Sequence, residues 1–199
     1  MSSSVIGQRL SPERTIRILN PLIAVKEDGM RILERLRSSE LKAKEAASML
    51  ARDFAQDIEL LRELGEDMDF CTDVEKGILM EALEYATGVD PDVAEPVLDV
   101  VFECLSHEAP KVKWEAARVV GNIAHRFPDK VSLSVPKLLE NTKHKGTVVR
   151  WSAAYALGEI VTHNAKVRRK LLPEIDKILR REKNNGVKNV YLKVLKAVR

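Results

Sequence analysis

Apolar residues recur along the chain with the spacing of amphipathic helices, and no segment shows the alternation of a half-buried strand. Helix-start signals separate these apolar stretches. Thr72 is followed three residues later by Glu75, which is the spacing of a capping box, and Asp90 stands directly before Pro91. The pattern therefore predicts an all-α protein of about ten helices, each roughly 8–17 residues long and joined by short turns.

The second half of the chain repeats itself. Residues 112–123, VKWEAARVVGNI, match residues 149–160, VRWSAAYALGEI, at an offset of 37, and residues 187–198 continue the series at an offset of 38. Residues 74–85 keep the apolar positions of the repeat without its Ala-Ala pair. Because a second helix lies between successive copies, the period contains two helices, which is typical of an α-solenoid.

The sequences VKWEAA and VRWSAAYALG resemble the HEAT-repeat family, in particular its short VRxxAAxALG variety. The resemblance is clearest over residues 72–199. It implies antiparallel helix pairs stacked in a right-handed superhelix, with the first helices outside and the second helices lining a concave inner face. In HEAT-like repeats a basic ladder, here Lys113, Arg150 and Lys188, ties adjacent repeats together.

The predicted organisation is one structural domain. Its parts are a flexible N-terminus (1–10), irregular helices that cap the solenoid (11–70), three repeats (71–109, 110–146 and 147–186) and a final helix (187–199). The final helix is unpaired, and we expect it to bury one face on the helix over 165–181. The pattern fits a complete chain that ends in a capping helix as well as a truncated solenoid.

Composition and charge exclude some classes of protein. With 45% hydrophobic and 32% charged residues, the 199-residue chain can bury a core. No apolar run approaches the roughly 18 residues of a membrane helix, and Cys71 and Cys104 stand alone, which predicts a reduced, cytoplasmic setting. The net charge of +3 conceals a polarised chain, with a balance of −9 over residues 1–100 and +12 over residues 101–199.

The sequence contains no catalytic or metal-binding motif. GxSxG, P-loop and HExxH patterns are absent, so we predict no enzyme and no cofactor. His107 and His144 are 37 residues apart, and His125 and His163 are 38 apart. Equivalent positions in neighbouring repeats are expected about 10 Å apart, too far to share a zinc ion whose ligands lie at roughly 2 Å. We therefore predict no metal site.

One enzyme family with a similar fold needs consideration. HEAT-like solenoids include the bacterial DNA glycosylases that excise alkylated bases, and that resemblance implies tryptophans paired with an acidic residue in a basic groove. Here Trp114 is followed one turn later by Arg118, Trp151 is followed by Tyr155, and only Glu115 is an adjacent carboxylate. A nucleic-acid-binding relative of these enzymes, without the catalytic acid, therefore stays an alternative to a binding module.

The aromatic residues Trp114, Trp151 and Tyr155 lie at the edge of the core stripe of their helices. The simpler interpretation is packing between adjacent outer helices, with Arg118 and Lys193 stacked on the rings. The alternative is an exposed aromatic patch that binds a protein partner.

The second helices carry charges of a single sign opposite their core stripes. The exposed stripe is acidic over 91–106 but basic over 129–142 and 165–181, whereas ordinary solvated helices mix the two signs. We predict that six basic residues converge on one concave surface: Lys130, Lys137, Lys166, Arg169, Lys177 and Arg180. A solvated face is the simplest explanation, an acidic protein or peptide the first functional one, and nucleic acid the second. The sequence thus predicts a non-enzymatic binding or scaffold module.

Overall fold

The computed structural model describes residues 31–57, 59–62 and 64–198, and every regular element within them is helical. The α-helices are α1 (Arg31–Ser38), α2 (Ala43–Gln56), α3 (Glu59–Arg62), α4 (Leu64–Asp69), α5 (Asp73–Val89), α6 (Leu98–Cys104), α7 (Pro110–Ile123), α8 (Pro128–Val131), α9 (Val135–Asn141), α10 (Thr147–His163), α11 (Ala165–Arg181) and α12 (Asn185–Val198). Segments of 3₁₀ helix cover Pro91–Val97 and Ser132–Ser134. The predicted all-α class is confirmed. The predicted flexible segment 1–10 and the start of the predicted cap, 11–30, lie outside the described residues.

The predicted capping box forms at the start of α5. Thr72 Oγ1 accepts a hydrogen bond from the Glu75 backbone N–H at 3.3 Å, and the Glu75 carboxylate accepts one from the Thr72 N–H at 2.8 Å. Arg37 also donates to Glu75 Oε1 at 2.7 Å. This bond from Arg37, together with those from Thr72, lowers the pKa of Glu75 to about 2. The cap therefore also ties α1 to α5.

The second helices of the repeats are broken where the sequence predicts continuous helices. The predicted helix over 91–106 is a 3₁₀ segment followed by α6, and the one over 129–142 is α8, a 3₁₀ turn and α9. Pro96 lies inside the first 3₁₀ segment and Pro136 in the first turn of α9. Since proline lacks a backbone N–H and its ring clashes with the preceding turn, a continuous α-helix cannot form there without cost.

The helices that carry the sequence repeat form one closely packed layer, which we call the inner layer: α2, α5, α7, α10 and α12. Each packs along the next in chain order. Small residues permit this close approach, because Ala117 and Ala154 are almost completely buried and a Cβ at Gly121 would overlap the Tyr155 ring. The Ala-Ala pairs of the repeat therefore lie buried between inner-layer helices.

The second helices form the outer layer. Here α6 and α9, and likewise α9 and α11, lack the extensive packing that joins neighbours in the inner layer. Because the repeat helices lie closer together than the second helices, we infer that they form the inner side of the stack. This packing does not support the expectation that the first helices lie outside and the second helices line the concave face.

Both ends of the described chain extend this arrangement. At the N-terminal end, α2 packs on α5 as a further inner-layer helix and buries Ala47 and Phe54. At the C-terminal end, α12 buries Val187, Tyr191 and Leu195 mainly against α10 and only slightly against α11. The prediction that the final helix packs chiefly on residues 165–181 is therefore wrong. Among the described helices, none is long and apolar enough to cross a membrane.

Candidate functional site

The exposed side of the inner layer, which we call the inner face, carries the predicted aromatic residues. Trp151 and Tyr155 are one turn apart on α10, and their rings stack with centroids 6.0 Å apart and planes inclined by 13°. The Tyr155 hydroxyl donates a hydrogen bond to Asn122 Oδ1 at 2.9 Å, which fixes the ring over α7. Trp151 keeps 39% of its surface exposed. Tyr155 therefore packs between helices, whereas Trp151 presents an aromatic surface to solvent.

Trp114 occupies the equivalent position one repeat earlier and is half-buried. Its indole N–H donates to Glu115 Oε1 at 2.7 Å. Arg118 does not stack on a ring as the sequence predicts. It forms ion pairs with Glu84 at 2.7 Å and with Glu115 at 3.3 Å, because buried carboxylates require a cation close by.

Two carboxylates beside these residues, Glu81 and Glu84, were not predicted as part of the site, and Glu115 was considered only as the adjacent carboxylate of the glycosylase alternative. Lys111 Nζ lies 2.7 Å from Glu81 Oε2, so cations of α7 pair with carboxylates of α5. Burial raises the pKa of both Glu84 and Glu115. The Glu115 carboxylate is enclosed by the Trp114 indole and the Arg118 guanidinium and does not point towards solvent. The sequence does indicate these carboxylates, since glutamates interrupt the apolar core stripe of α5 and of α7.

Two adjoining depressions run across the inner face. One, of about 350 Å³, lies between α5, α7 and α10 and includes Asn122 and His125. The other, of about 630 Å³, lies between α10 and α12 and includes Trp151 and Lys193. Tyr155 and Glu159 line both. The two depressions therefore adjoin at Tyr155 and Glu159, beside the aromatic stack.

The predicted basic residues lie on the outer layer, away from the aromatic residues. Lys130 Nζ is 2.9 Å from Glu95 Oε1, and Lys137 Nζ donates to the Phe102 carbonyl at 2.9 Å. Lys130 therefore pairs with the acidic stripe of the preceding repeat, whereas Lys137 bonds to a backbone carbonyl. The six residues lie on the layer opposite the closely packed repeat helices, and their convergence on one concave surface stays a prediction.

The four predicted basic residues of α11 divide into two groups. Lys166 Nζ lies 3.9 Å from Asp129, and Lys177 Nζ lies 2.7 Å from Glu174. Arg169 and Arg180 are exposed and form no ion pair with any described residue. A role of the six residues in partner binding stays a prediction.

The histidines fall into two structural classes. His144 Nδ1 accepts a hydrogen bond from the Gly146 N–H at 2.9 Å, and His107 accepts one from the Ala109 N–H at 3.1 Å, so both order the turns before inner-layer helices. The rings of His125 and His163 are only 5.8 Å apart, closer than the repeat spacing suggested. Across residues 31–57, 59–62 and 64–198, no group of three or more candidate ligands could hold a metal ion.

Both cysteines are free thiols that pack among apolar residues. Burial raises the pKa of Cys71 and that of Cys104 to about 11. Both therefore stay protonated near neutral pH, which fits the predicted role as small core residues and not as nucleophiles.

Comparison with known proteins defines the class of fold. No family model matches the chain, and no curated protein is detectably similar in sequence. A designed armadillo repeat protein in complex with the peptide (KR)4 is 18% identical, with a TM-score of 0.63 over 91% of this chain and 85% of that one. An engineered protein is 16% identical, with a TM-score of 0.64 over 94% and 84% of the two chains.

Computationally designed armadillo repeat proteins for modular peptide recognition give a TM-score of 0.60 at 18% identity, over 91% of this chain and 86% of that one. The chain is therefore an α-solenoid repeat protein. These solved structures share its arrangement of stacked helices, and two of the three are described as armadillo repeat proteins, while none is described as a HEAT-repeat protein.

Proposed function

We propose that this chain is a non-enzymatic binding module and that an extended polypeptide segment lies across its inner face. The observation that carries the proposal is the pair of adjoining depressions between α5, α7, α10 and α12, which meet at Tyr155 beside the exposed Trp151 ring. An exposed aromatic surface within a groove is the type of feature that dominates binding energy at protein interfaces. The designed armadillo proteins described as recognising peptides support the proposal by their similar fold.

The dimensions of the inner face suit a short extended peptide. Four inner-layer helices spaced about 10 Å apart span roughly 30 Å, which about nine extended residues cover at ~3.3 Å each. The side-chain amide of Asn122 is already occupied, because it donates to the Glu84 carbonyl and the Thr87 hydroxyl and accepts from the Tyr155 hydroxyl. Asn189, which replaces tryptophan at the equivalent repeat position, is exposed and can hydrogen-bond to a peptide backbone.

The experiment is selection of random extended peptides on the purified protein, followed by titration of the selected peptides. Trp114 and Trp151 are the chain's two tryptophans and both lie at the inner face, so binding should change the intrinsic fluorescence. We expect Trp151→Ala to weaken binding by about tenfold or more, as for an aromatic hot spot. Trp114→Phe leaves Trp151 as the one tryptophan of the chain, so a fluorescence change that persists in this variant comes from Trp151.

The matched control is Arg169→Glu on the outer layer, which should leave the affinity of these peptides within about twofold because exposed charges far from a site contribute little. Selected peptides whose affinity is unchanged by Trp151→Ala would refute an inner-face binding site.

The outer-layer basic residues provide a second candidate surface. Arg169 and Arg180 have no ion-pair partner among the described residues, so their charge is available to an acidic protein or peptide. Nucleic acid is the alternative polyanion, and the glycosylase-like function is the corresponding enzyme candidate. Because the Glu115 carboxylate is enclosed, we expect no release of alkylated bases from DNA. The two free thiols suit the cytoplasmic location that the sequence predicts.

A further inference from the structure

A groove of about 660 Å³ separates α9 from α11 on the outer layer. Its floor is aliphatic and is formed by Val135 and Leu139 from one side and Val167 and Leu171 from the other. The 3₁₀ turn over Ser132–Ser134 bends the α8–α9 segment, and the two second helices do not pack along one another. The structure thus leaves apolar side chains of both helices open to solvent between neighbouring repeats.

The rim of this outer groove carries two lysines, Lys166 and Lys170 from α11, and two carboxylates, Asp129 and Glu174. Each carboxylate is close to a lysine: Asp129 is 3.9 Å from Lys166, and Glu174 is 2.7 Å from Lys177. Lys170 is exposed and has no carboxylate partner among the described residues, so its positive charge remains uncompensated beside the aliphatic floor.

We propose that the outer groove binds an acidic amphipathic polypeptide segment. Apolar side chains of this segment pack on the floor between α9 and α11, and its carboxylates pair with Lys166 and Lys170. The proposal rests on the second candidate surface of the proposed function and is independent of the inner face. It adds the aliphatic floor, so that the ligand is specified by hydrophobic and electrostatic complementarity together.

The chemistry of the groove favours a peptide over nucleic acid. Burial of the aliphatic floor against apolar groups of a ligand is favourable in free energy, and a phosphate backbone offers no such groups. None of the residues that line the groove is aromatic, so stacking with a base is not available. Asp129 and Glu174 on the rim also repel phosphates, whereas an amphipathic peptide can place apolar side chains next to them.

The test is fluorescence polarisation with two labelled peptides of equal charge. In one, glutamates accompany leucines at helical spacing; in the other, serine replaces every leucine. We expect the leucine peptide to bind about tenfold more tightly than the serine peptide, since only its side chains can pack on the aliphatic floor.

Lys166→Glu together with Lys170→Glu should weaken binding of the leucine peptide by about tenfold or more and reduce the salt dependence of its binding. Lys145→Glu, an exposed lysine outside the groove, is the control and should change affinity by less than about twofold.

Equal affinity for the leucine and serine peptides would overturn the proposal, and so would a single-stranded oligonucleotide that binds more tightly than either. An unchanged affinity in the doubly substituted protein would also overturn it, provided that circular dichroism shows a native helical signal. Failure here is distinguishable from failure of the inner-face function, because the peptides selected on the inner face depend on Trp151 and not on Lys170.

Discussion

Replacing Ala154 with glutamate is expected to abolish the cooperative folding of the C-terminal repeats. Ala154 is fully buried on α10, in the layer where small side chains allow inner helices to approach closely. Glutamate adds four heavy atoms and a charge that has no water and no designed partner at this position. Steric overlap and an unpaired buried charge act together, so we expect a loss of more than about 4 kcal/mol in the free energy of unfolding. Thermal unfolding followed by circular dichroism measures it.

A matched substitution on the same helix separates burial from helix propensity. Val148 lies in the first turn of α10 and is 52% exposed, so Val148→Glu should change stability by no more than about 0.5 kcal/mol. If Ala154→Glu unfolds at the wild-type temperature, the inner-layer packing described above is incorrect.

The fold could be predicted from the sequence because the same pattern of small and apolar residues recurs in each repeat. The Ala116-Ala117 and Ala153-Ala154 pairs recur 37 residues apart, and a period of two helices leaves few alternatives to a solenoid. The closer packing of the repeat helices relative to the second helices was not predicted, although the same residues contained the signal. Small side chains permit the shortest distances between helices, and the Ala-Ala pairs lie on the repeat helices.

The candidate site was predictable only where its chemistry is local. Trp151 and Tyr155 are four residues apart on one helix, so their stacking follows from helical spacing. The pair formed by Glu84 and Arg118 joins two repeats over 34 residues, and the pair formed by Lys130 and Glu95 over 35. Sequence reasoning treated the charged stripes of each helix separately and therefore missed ion pairs that join consecutive repeats.

The contact between Arg150 and Glu182 is a buried ion pair that joins two parts of the last repeat. Arg150 Nε donates to Glu182 Oε2 at 2.8 Å, and Nη2 donates to Oε1 at 3.2 Å. Arg150 also donates to the carbonyls of His144 and Lys145, and Glu182 accepts from the Asn184 N–H before α12. Arg150, one residue of the basic ladder predicted from the sequence, therefore ties the start of α10 to the turn between α11 and α12.

Removing the arginine is expected to cost more than removing an exposed one. Arg150→Met leaves the Glu182 carboxylate buried without its cation, which should cost about 3 kcal/mol in the free energy of unfolding. Arg126 and Asp92 form a comparable arginine–carboxylate pair between repeats, but both side chains are at least half exposed. Arg126→Met is therefore the control, and we expect it to cost less than about 1 kcal/mol. Chemical denaturation of both variants gives the two values.

The effect of Arg150→Met should depend on pH in a definite direction. The bond from Arg150 is the main cause that holds the pKa of Glu182 below its ordinary value of 4.5. A carboxyl whose folded pKa is depressed stabilises the protein above its unfolded pKa, and this contribution is lost as the pH falls through the folded value.

In Arg150→Met the Glu182 carboxyl is buried without a cation, so its pKa rises, and protonation removes the free-energy cost of the buried unpaired charge. The stability difference between wild type and variant should therefore be full near neutral pH, begin to shrink as the pH falls through the raised pKa of Glu182 in the variant, and continue to shrink below 4.5 towards the depressed pKa in the wild type. Combining Arg150→Met with Glu182→Gln should recover part of the loss at neutral pH and remove this pH dependence. A stability difference that stays constant from pH 7 to pH 4 would show that Arg150 acts through packing and not through the charge of Glu182.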